Sequence, residues 1–291
     1  MRAQDLARLV ALTSVWGGSY LFMRYAVPHL GAALMIFLRV ATAGVLMLGY
    51  VKATGGTIGF ARHWKGFAFV GIVGLALPFM MIAEALKTID ASTASILNAL
   101  CPFFASLVAA VWIRDPITPA KLVGIALCLV GTAVLVGWTP RPMTHAELVA
   151  AGLSVAAAAV YGFTIVFTKV HLQGASPLGT SVGTLLFAAV AMLPFVTLPA
   201  NLAAVPALAW SSVAGLALLS TTLAYLLYYR LIADVGPVKA ITVTLLVPIF
   251  GMLWGILFLG EPLTVGRVAG CAIILAGCSL ILGLARISRP G

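Results

Sequence analysis

Few side chains in this sequence can do chemistry, and most of those lie inside long apolar runs. Arg39 stands within the otherwise apolar stretch 31–52. A guanidinium keeps its charge at any ordinary pH, and its planar fork matches a carboxylate. Thr13, Trp16 and Tyr20 follow one another at helical spacing and offer an aromatic face with hydroxyls. Tyr161, Thr164 and Thr168 repeat that pattern, and Tyr225, Tyr228 and Tyr229 cluster in a third run. Pro102 and Pro248 each sit about ten residues into a run. A proline there removes one helical hydrogen bond and displaces the carbonyl four residues earlier, here those of Asn98 and Thr244. Glu84 is the one acid inside a run, near its end, with Lys87 three residues on. It reads either as a protonatable coupling group or as half of a surface i,i+3 ion pair.

This set suits binding better than bond-making. The four histidines, His29, His63, His145 and His171, fall between runs or at their ends. No run holds a His–acid pair or two acids, so acid–base and metal catalysis have too few candidates. No Gly-rich phosphate loop is present, which argues against a pump driven by a nucleotide. No cofactor and no metal is expected. Cys101, Cys128, Cys271 and Cys278 all lie in apolar stretches and read as small packing residues.

The elements that must position these side chains follow from composition. Of 291 residues, 63% are hydrophobic and 8% charged, with mean hydropathy +1.15. A soluble domain is roughly 45–50% apolar and about 25% charged, so this chain lacks the charge to cover a water-facing surface. It is too apolar to stay disordered. Apolar stretches fall at about 6–27, 31–52, 65–86, 92–113, 118–138, 147–170, 176–199, 208–232, 237–259 and 265–285. Each is close to the roughly 20 residues that cross a bilayer as a helix. Period-2 alternation is absent, so ten transmembrane helices, and not a barrel, are expected. The first stretch reads as a retained span rather than a cleaved leader.

The formal charge is +10, and of the 17 basic residues all but Arg39, which lies inside a span, fall in loops or toward span ends. Twelve of them (Arg2, Arg8, Lys52, Arg62, Lys65, Arg114, Lys121, Lys169, Arg230, Lys239, Arg286 and Arg289) share the side of the N-terminus. Four (Arg24, Lys87, Arg141 and Arg267) fall on the other side. That bias predicts cytoplasmic termini in a multi-pass protein of the inner, cytoplasmic membrane. Arg24 and Lys169 are expected to snorkel to the interface. No basic stripe with interleaved aromatics suggests nucleic acid.

The chain is written twice. Residues 15–22 (VWGGSYLF) match 160–167 (VYGFTIVF) at an offset of 145. Residues 102–118 match 248–264 at an offset of 146, bringing Asp115 onto Glu261. Gly124 and Gly131 then fall on Gly270 and Gly277, a small-residue face suited to close helix packing. Two units of five spans, 1–140 and 141–291, are expected. Five is odd, so the second enters the membrane inverted, the arrangement of secondary transporters.

Trp16-Gly-Gly-Ser19 in the first span, an Arg early in the second, and residues 85–94 (ALKTIDASTA) leading to Pro102 resemble the EamA-type drug/metabolite transporters. So does the acid-Pro-x-Thr close of each fourth span, followed by a Gly-x6-Gly span. Asp115 stands where Glu is commoner in the family, and Pro116 and Pro262 also depart from its pattern. The resemblance implies movement of amino acids or other small metabolites, often outward. A passive uniporter of the same build is the alternative, and an intramembrane enzyme a remoter one. The expected substrate-binding residues are Arg39, Trp16, Tyr20, Asn98, Tyr161 and Thr244. Pro102 and Pro248 are the expected gating kinks and Glu84 the coupling candidate. The expected partners are the bilayer and a small-molecule substrate, with monomer and homodimer both open.

Overall fold

The computed structural model describes residues 3–137, 142–236, 240 and 242–284. Arg2, Arg141, Lys239, Arg286 and Arg289 of the charge count lie outside them, as does the expected unit boundary at 140/141. Every regular element among the described residues is helical, and apart from a short 3-10 turn at Leu202–Ala204 the helices form ten stretches. These are α1 (Ala3–Leu30), α2 (Ala32–Ala53), α3 (Phe60–Ala85), α4 (Ala91–Trp112) and α5 (Pro119–Gly137). The second five are α6 (His145–His171), α7 (Pro177–Phe195), α8 (Ala207–Val235), α9 (Val243–Leu259) and α10 (Val265–Ile281). Eight are long and apolar enough to cross a membrane; α9 and α10 are shorter apolar helices. At 1.5 Å per residue, 17 residues still reach about 26 Å, near the lower limit for a span.

Local signals explain where the helices start. Thr118 accepts the Lys121 N–H at 3.3 Å ahead of Pro119, so α5 begins with an N-cap and proline at its first position. Thr144 and Glu147 form a reciprocal capping box at the start of α6. Short connections make successive helices antiparallel. The start of α1 therefore shares a face, here the chain-end face, with the α2–α3, α4–α5, α6–α7 and α8–α9 connections. Val111, Leu122, Val123, Leu257 and Val265 point outward, as lipid-facing side chains must.

Helix contacts follow the duplication. α5 packs on α10, α2 on α7, and α4 on α9. α1 packs on α9 as α6 packs on α4; α3 packs on α6 and α7 as α8 packs on α1 and α2. Exchanging the first five helices for the last five carries this set onto itself. Glycines set the distances. A Cβ on Gly17 would stand 2.7 Å from the Gly251 nitrogen, and one on Gly162, 2.6 Å from that of Ala105. Those two contacts are counterparts under the repeat. Gly124 and Gly277 bring α5 and α10 equally close, since a Cβ on either would meet the other's carbonyl at 2.6 Å. The four cysteines are free, with Cys128 and Cys278 facing each other across that contact at 3.7 Å.

Two helices carry a wide π-turn: α3 at Ile72–Ala76 and α8 at Leu218–Leu223. Their starts are 146 residues apart, the repeat offset. The two prolines behave differently. Pro102 opens the second half of α4, after a break between Ala91–Asn98 and Cys101–Trp112, whereas Pro248 sits inside an unbroken helix.

Candidate functional site

Arg39 lies seven residues into α2, about 10 Å along the helix from its start, and is 5% exposed. Its Nε donates to Thr221 Oγ1 at 3.0 Å, and its Nη1 approaches Met23 Sδ at 3.7 Å. The guanidinium carbon stands 4.0 Å from the centre of the Phe79 ring. Ring and hydroxyl stabilise a cation without neutralising it. All seven acids are described residues, and none is within ion-pair distance of Arg39. Thr221 lies in the π-turn of α8, where the widened backbone lets its hydroxyl also donate to the Leu216 carbonyl at 2.8 Å.

The aromatic surroundings come in pairs related by the repeat. Tyr225 and Phe79 occupy equivalent positions, one turn past the two π-turns; Trp16 and Tyr161 are likewise equivalent. Trp16 meets Tyr225 edge-on at 6.4 Å and 81°; Tyr161 meets Phe79 edge-on at 6.5 Å and 74°. Tyr161, Tyr225 and Tyr20 lie within electrostatic reach of Arg39. The Tyr20 hydroxyl accepts from Asn98 Nδ2 at 2.9 Å, and Asn98 Oδ1 is buried without a protein donor. Arg39 breaks the symmetry, because its counterpart is the buried Leu185.

Of the expected binding residues, Tyr161 joins Arg39 through the Phe79 ring, Tyr20 pairs with Asn98, and Trp16 packs on Tyr225, with the three phenols within electrostatic reach of Arg39. Thr244 is exposed, on the first turn of α9. Pro102 follows Asn98 across the break in α4, and Pro248 is buried in α9. The Ala99 carbonyl at the break is taken up by the Cys278 thiol at 3.2 Å. Phe79, Met23 and Thr221 were not foreseen. Thr221 carried a readable signal, the run Ser220-Thr221-Thr222 within an apolar span; Phe79 and Met23 carried none.

Glu84 bonds to Lys87 at 2.7 Å, with side chains 41% and 46% exposed, the surface-pair geometry. Arg24 donates to the Leu86 carbonyl, closing the C-terminus of α3 at the end of that span. A helix end presents unsatisfied carbonyls that attract a cation. The acid sequence reasoning passed over is Glu261, 7% exposed. Its carboxylate accepts from the Ala91 N–H at 2.7 Å, the Ser92 N–H at 3.0 Å and the Ser92 hydroxyl, capping α4 from the α9–α10 connection. Beside it Arg267 pairs with Asp90 and donates to the Pro262 carbonyl at 2.7 Å. Tyr25 donates to the Phe258 carbonyl at 2.9 Å at the same face.

A groove of about 710 Å³ runs between α1, α8 and α9, lined by Gly18, Phe22, Tyr25, Gly215 and Trp254. These residues lie on the side of α1 opposite Trp16, Tyr20 and Met23, and none of the candidate residues lines the groove.

Among the described residues, ten apolar helices surround one buried cation, the build of a multi-pass membrane protein. The sequence model of the EamA-like transporter family matches twice, at residues 6–137 and 148–283. The chain belongs to the EamA-like transporter family. It is 25% identical over 283 residues to an uncharacterized transporter of Archaeoglobus fulgidus, covering 94% of this chain and 97% of that one. It is 27% identical over 291 residues to a probable terminal-alkyne amino-acid exporter of Streptantibioticus cattleyicolor, covering 97% and 96%. An uncharacterized inner membrane transporter of Escherichia coli K12 is 26% identical over 263 residues, covering 88% and 83%. A solved crystal structure superposes with a TM-score of 0.67 over 98% of both chains at 19% identity, a likeness of fold.

Proposed function

We propose that this protein is a secondary transporter that moves a small carboxylate-bearing metabolite, an amino acid or a close relative, across the cytoplasmic membrane by alternating access. The observation that carries the reading is Arg39. It is buried at membrane depth, held by Thr221, Met23 and Phe79, and has no carboxylate partner. An arginine at the centre of a span costs about 2.5–3.5 kcal/mol on insertion scales. A site that keeps such a charge unneutralised is complementary to an anion. The aromatic rings and the Tyr20–Asn98 pair supply apolar and hydrogen-bonding surface beside it.

The two units are read as inverted five-helix repeats, 1–140 and 141–291, that rock about the substrate. Support comes from the double family match, the π-turns 146 residues apart and the paired edge-on aromatic contacts. Pro102 and Pro248 are the gating positions in this scheme. Cytoplasmic termini are supported by the charge count, and outward movement by the likeness to a probable terminal-alkyne amino-acid exporter.

The test is binding of a radiolabelled amino-acid panel to purified protein by scintillation proximity. Arg39→Ala is expected to lose about 2–5 kcal/mol of affinity, as truncation of one member of a buried charge pair does. Arg39→Lys keeps the charge but not the fork, and is expected to fall between. A monodisperse Arg39→Ala protein with unchanged affinity makes Arg39 structural and removes the anionic-substrate reading.

A further inference from the structure

A second cationic site lies on the chain-end face. A cleft of about 300 Å³ opens between α1, α2, α7 and α8, where the two halves of the chain meet. Arg8, Tyr50, Leu178, Tyr229 and Arg230 line it. Arg8 is engaged by Asp234 and by Asp5, the latter at 3.6 Å. Arg230 is exposed, and none of the seven acids, all described, pairs with it. Its ready partner is Asp234, four residues on and on the same helical face. That carboxylate is drawn across the seam to Arg8 instead. Arg230 is thereby left with its charge free beside a wall of leucines and two phenols, one of which, Tyr229, bonds to Ser181.

The cleft is joined to the Arg39 cluster by a ladder of rings. Tyr229 lies parallel to Tyr225 at 6.1 Å and 10°, and Tyr225 lies within electrostatic reach of Arg39. Tyr228 meets Tyr229 at 6.1 Å and Trp16 at 5.4 Å. Arg230 and Thr221, the hydroxyl that holds Arg39, are nine residues apart on α8, about 14 Å along the helix. We propose that the cleft is a second anion station, at which the carboxylate of a small organic acid docks on Arg230 with its apolar body against Tyr50, Tyr229 and the leucines. It rests on the reading of Arg39 as the central anion site, and gives that site a loading position on the chain-end face.

The experiment is calorimetric titration with phenylacetate, using neutral phenylacetamide as control, on purified protein in phosphatidylcholine nanodiscs. Wild-type protein is expected to bind phenylacetate at two sites and to ignore the amide. Arg230→Gln, a change at an exposed position, is expected to weaken one of them at least tenfold and leave the other intact. Arg39→Ala is expected to do the converse. Repeating the titration in phosphatidylglycerol nanodiscs separates a free acid from a lipid phosphate, because a lipid headgroup in the cleft excludes phenylacetate. Absence of phenylacetate binding, binding that Arg230→Gln leaves unchanged, or loss of the Arg230-dependent site in phosphatidylglycerol each overturns the proposal. Loss with Arg230→Gln and no effect of Arg39→Ala leaves the cleft standing and removes the central site.

Discussion

Arg39 and Glu261 are opposite solutions to burying a charge. Glu261 is satisfied by two backbone N–H groups and a serine hydroxyl, the fixed dipoles of a helix start. Arg39 receives one hydroxyl, one thioether and a ring face, and keeps a charge to offer. The first arrangement stabilises structure; the second suits a ligand. Glu261→Ala leaves three buried donors without an acceptor, each costing about 1–3 kcal/mol. A clear fall in the thermal unfolding midpoint in detergent is expected, with a smaller one for Glu261→Gln; an unchanged midpoint would mean that water replaces the carboxylate. Glu84→Gln, in an exposed pair, is expected to shift stability by no more than about 1 kcal/mol and to leave any pH dependence of transport in place. A loss of that dependence would return Glu84 to a coupling role. Arg39, Tyr20 and Asn98 were legible because a polar side chain deep in an apolar run must be accommodated. Glu261 was visible only as half of a boundary motif: the sequence places it outside a span, and tertiary packing alone brings it onto the start of α4. Phe79 was illegible because one phenylalanine in an apolar helix looks like any other.

At the scale of elements, α4 links the two charges. Glu261 holds the start of its first half, Ala91–Asn98, and Asn98 at the other end meets Tyr20. Ala99 and Leu100 separate that segment from Cys101–Trp112, so it can tilt as a unit. Pro102 at the head of the second half prevents a continuous hydrogen-bond ladder across the break. Pro102→Ala is expected to restore the ladder, leave the protein folded and slow transport. Pro248→Ala, inside an unbroken helix, is expected to slow it less. Wild-type rates for both variants in proteoliposomes would make the prolines structural. Helix number and order were readable from runs of apolar residues at span length. The two π-turns were not, because a π-turn is one extra residue in a helix whose composition does not change. Only the repeat offset, applied to a known π-turn, points to its partner.

The molecule as a whole is two like halves that differ most in charge at one buried position. The halves share helix contacts, glycine crossings and edge-on aromatic pairs, yet Arg39 faces a leucine as its counterpart. The alternating access proposed above requires two arrangements of similar packing energy, which like halves are suited to supply, and in that proposal the unmatched cation is the substrate's anchor. The duplication was legible from spacing because both copies retain glycine, proline and aromatic positions that packing constrains. The substrate was not, since one buried arginine specifies a charge and not a compound. The most direct measurement is counterflow. Purified protein in proteoliposomes, preloaded in turn with each unlabelled member of an amino-acid and organic-acid panel, receives the same compound labelled outside. For at least one carboxylate-bearing compound, saturable uptake, a transient overshoot of label and loss of both with Arg39→Ala are expected. Uptake that rises linearly with concentration and shows no overshoot for any compound, or an overshoot that persists undiminished in Arg39→Ala, would rule out a carrier that binds its substrate at Arg39.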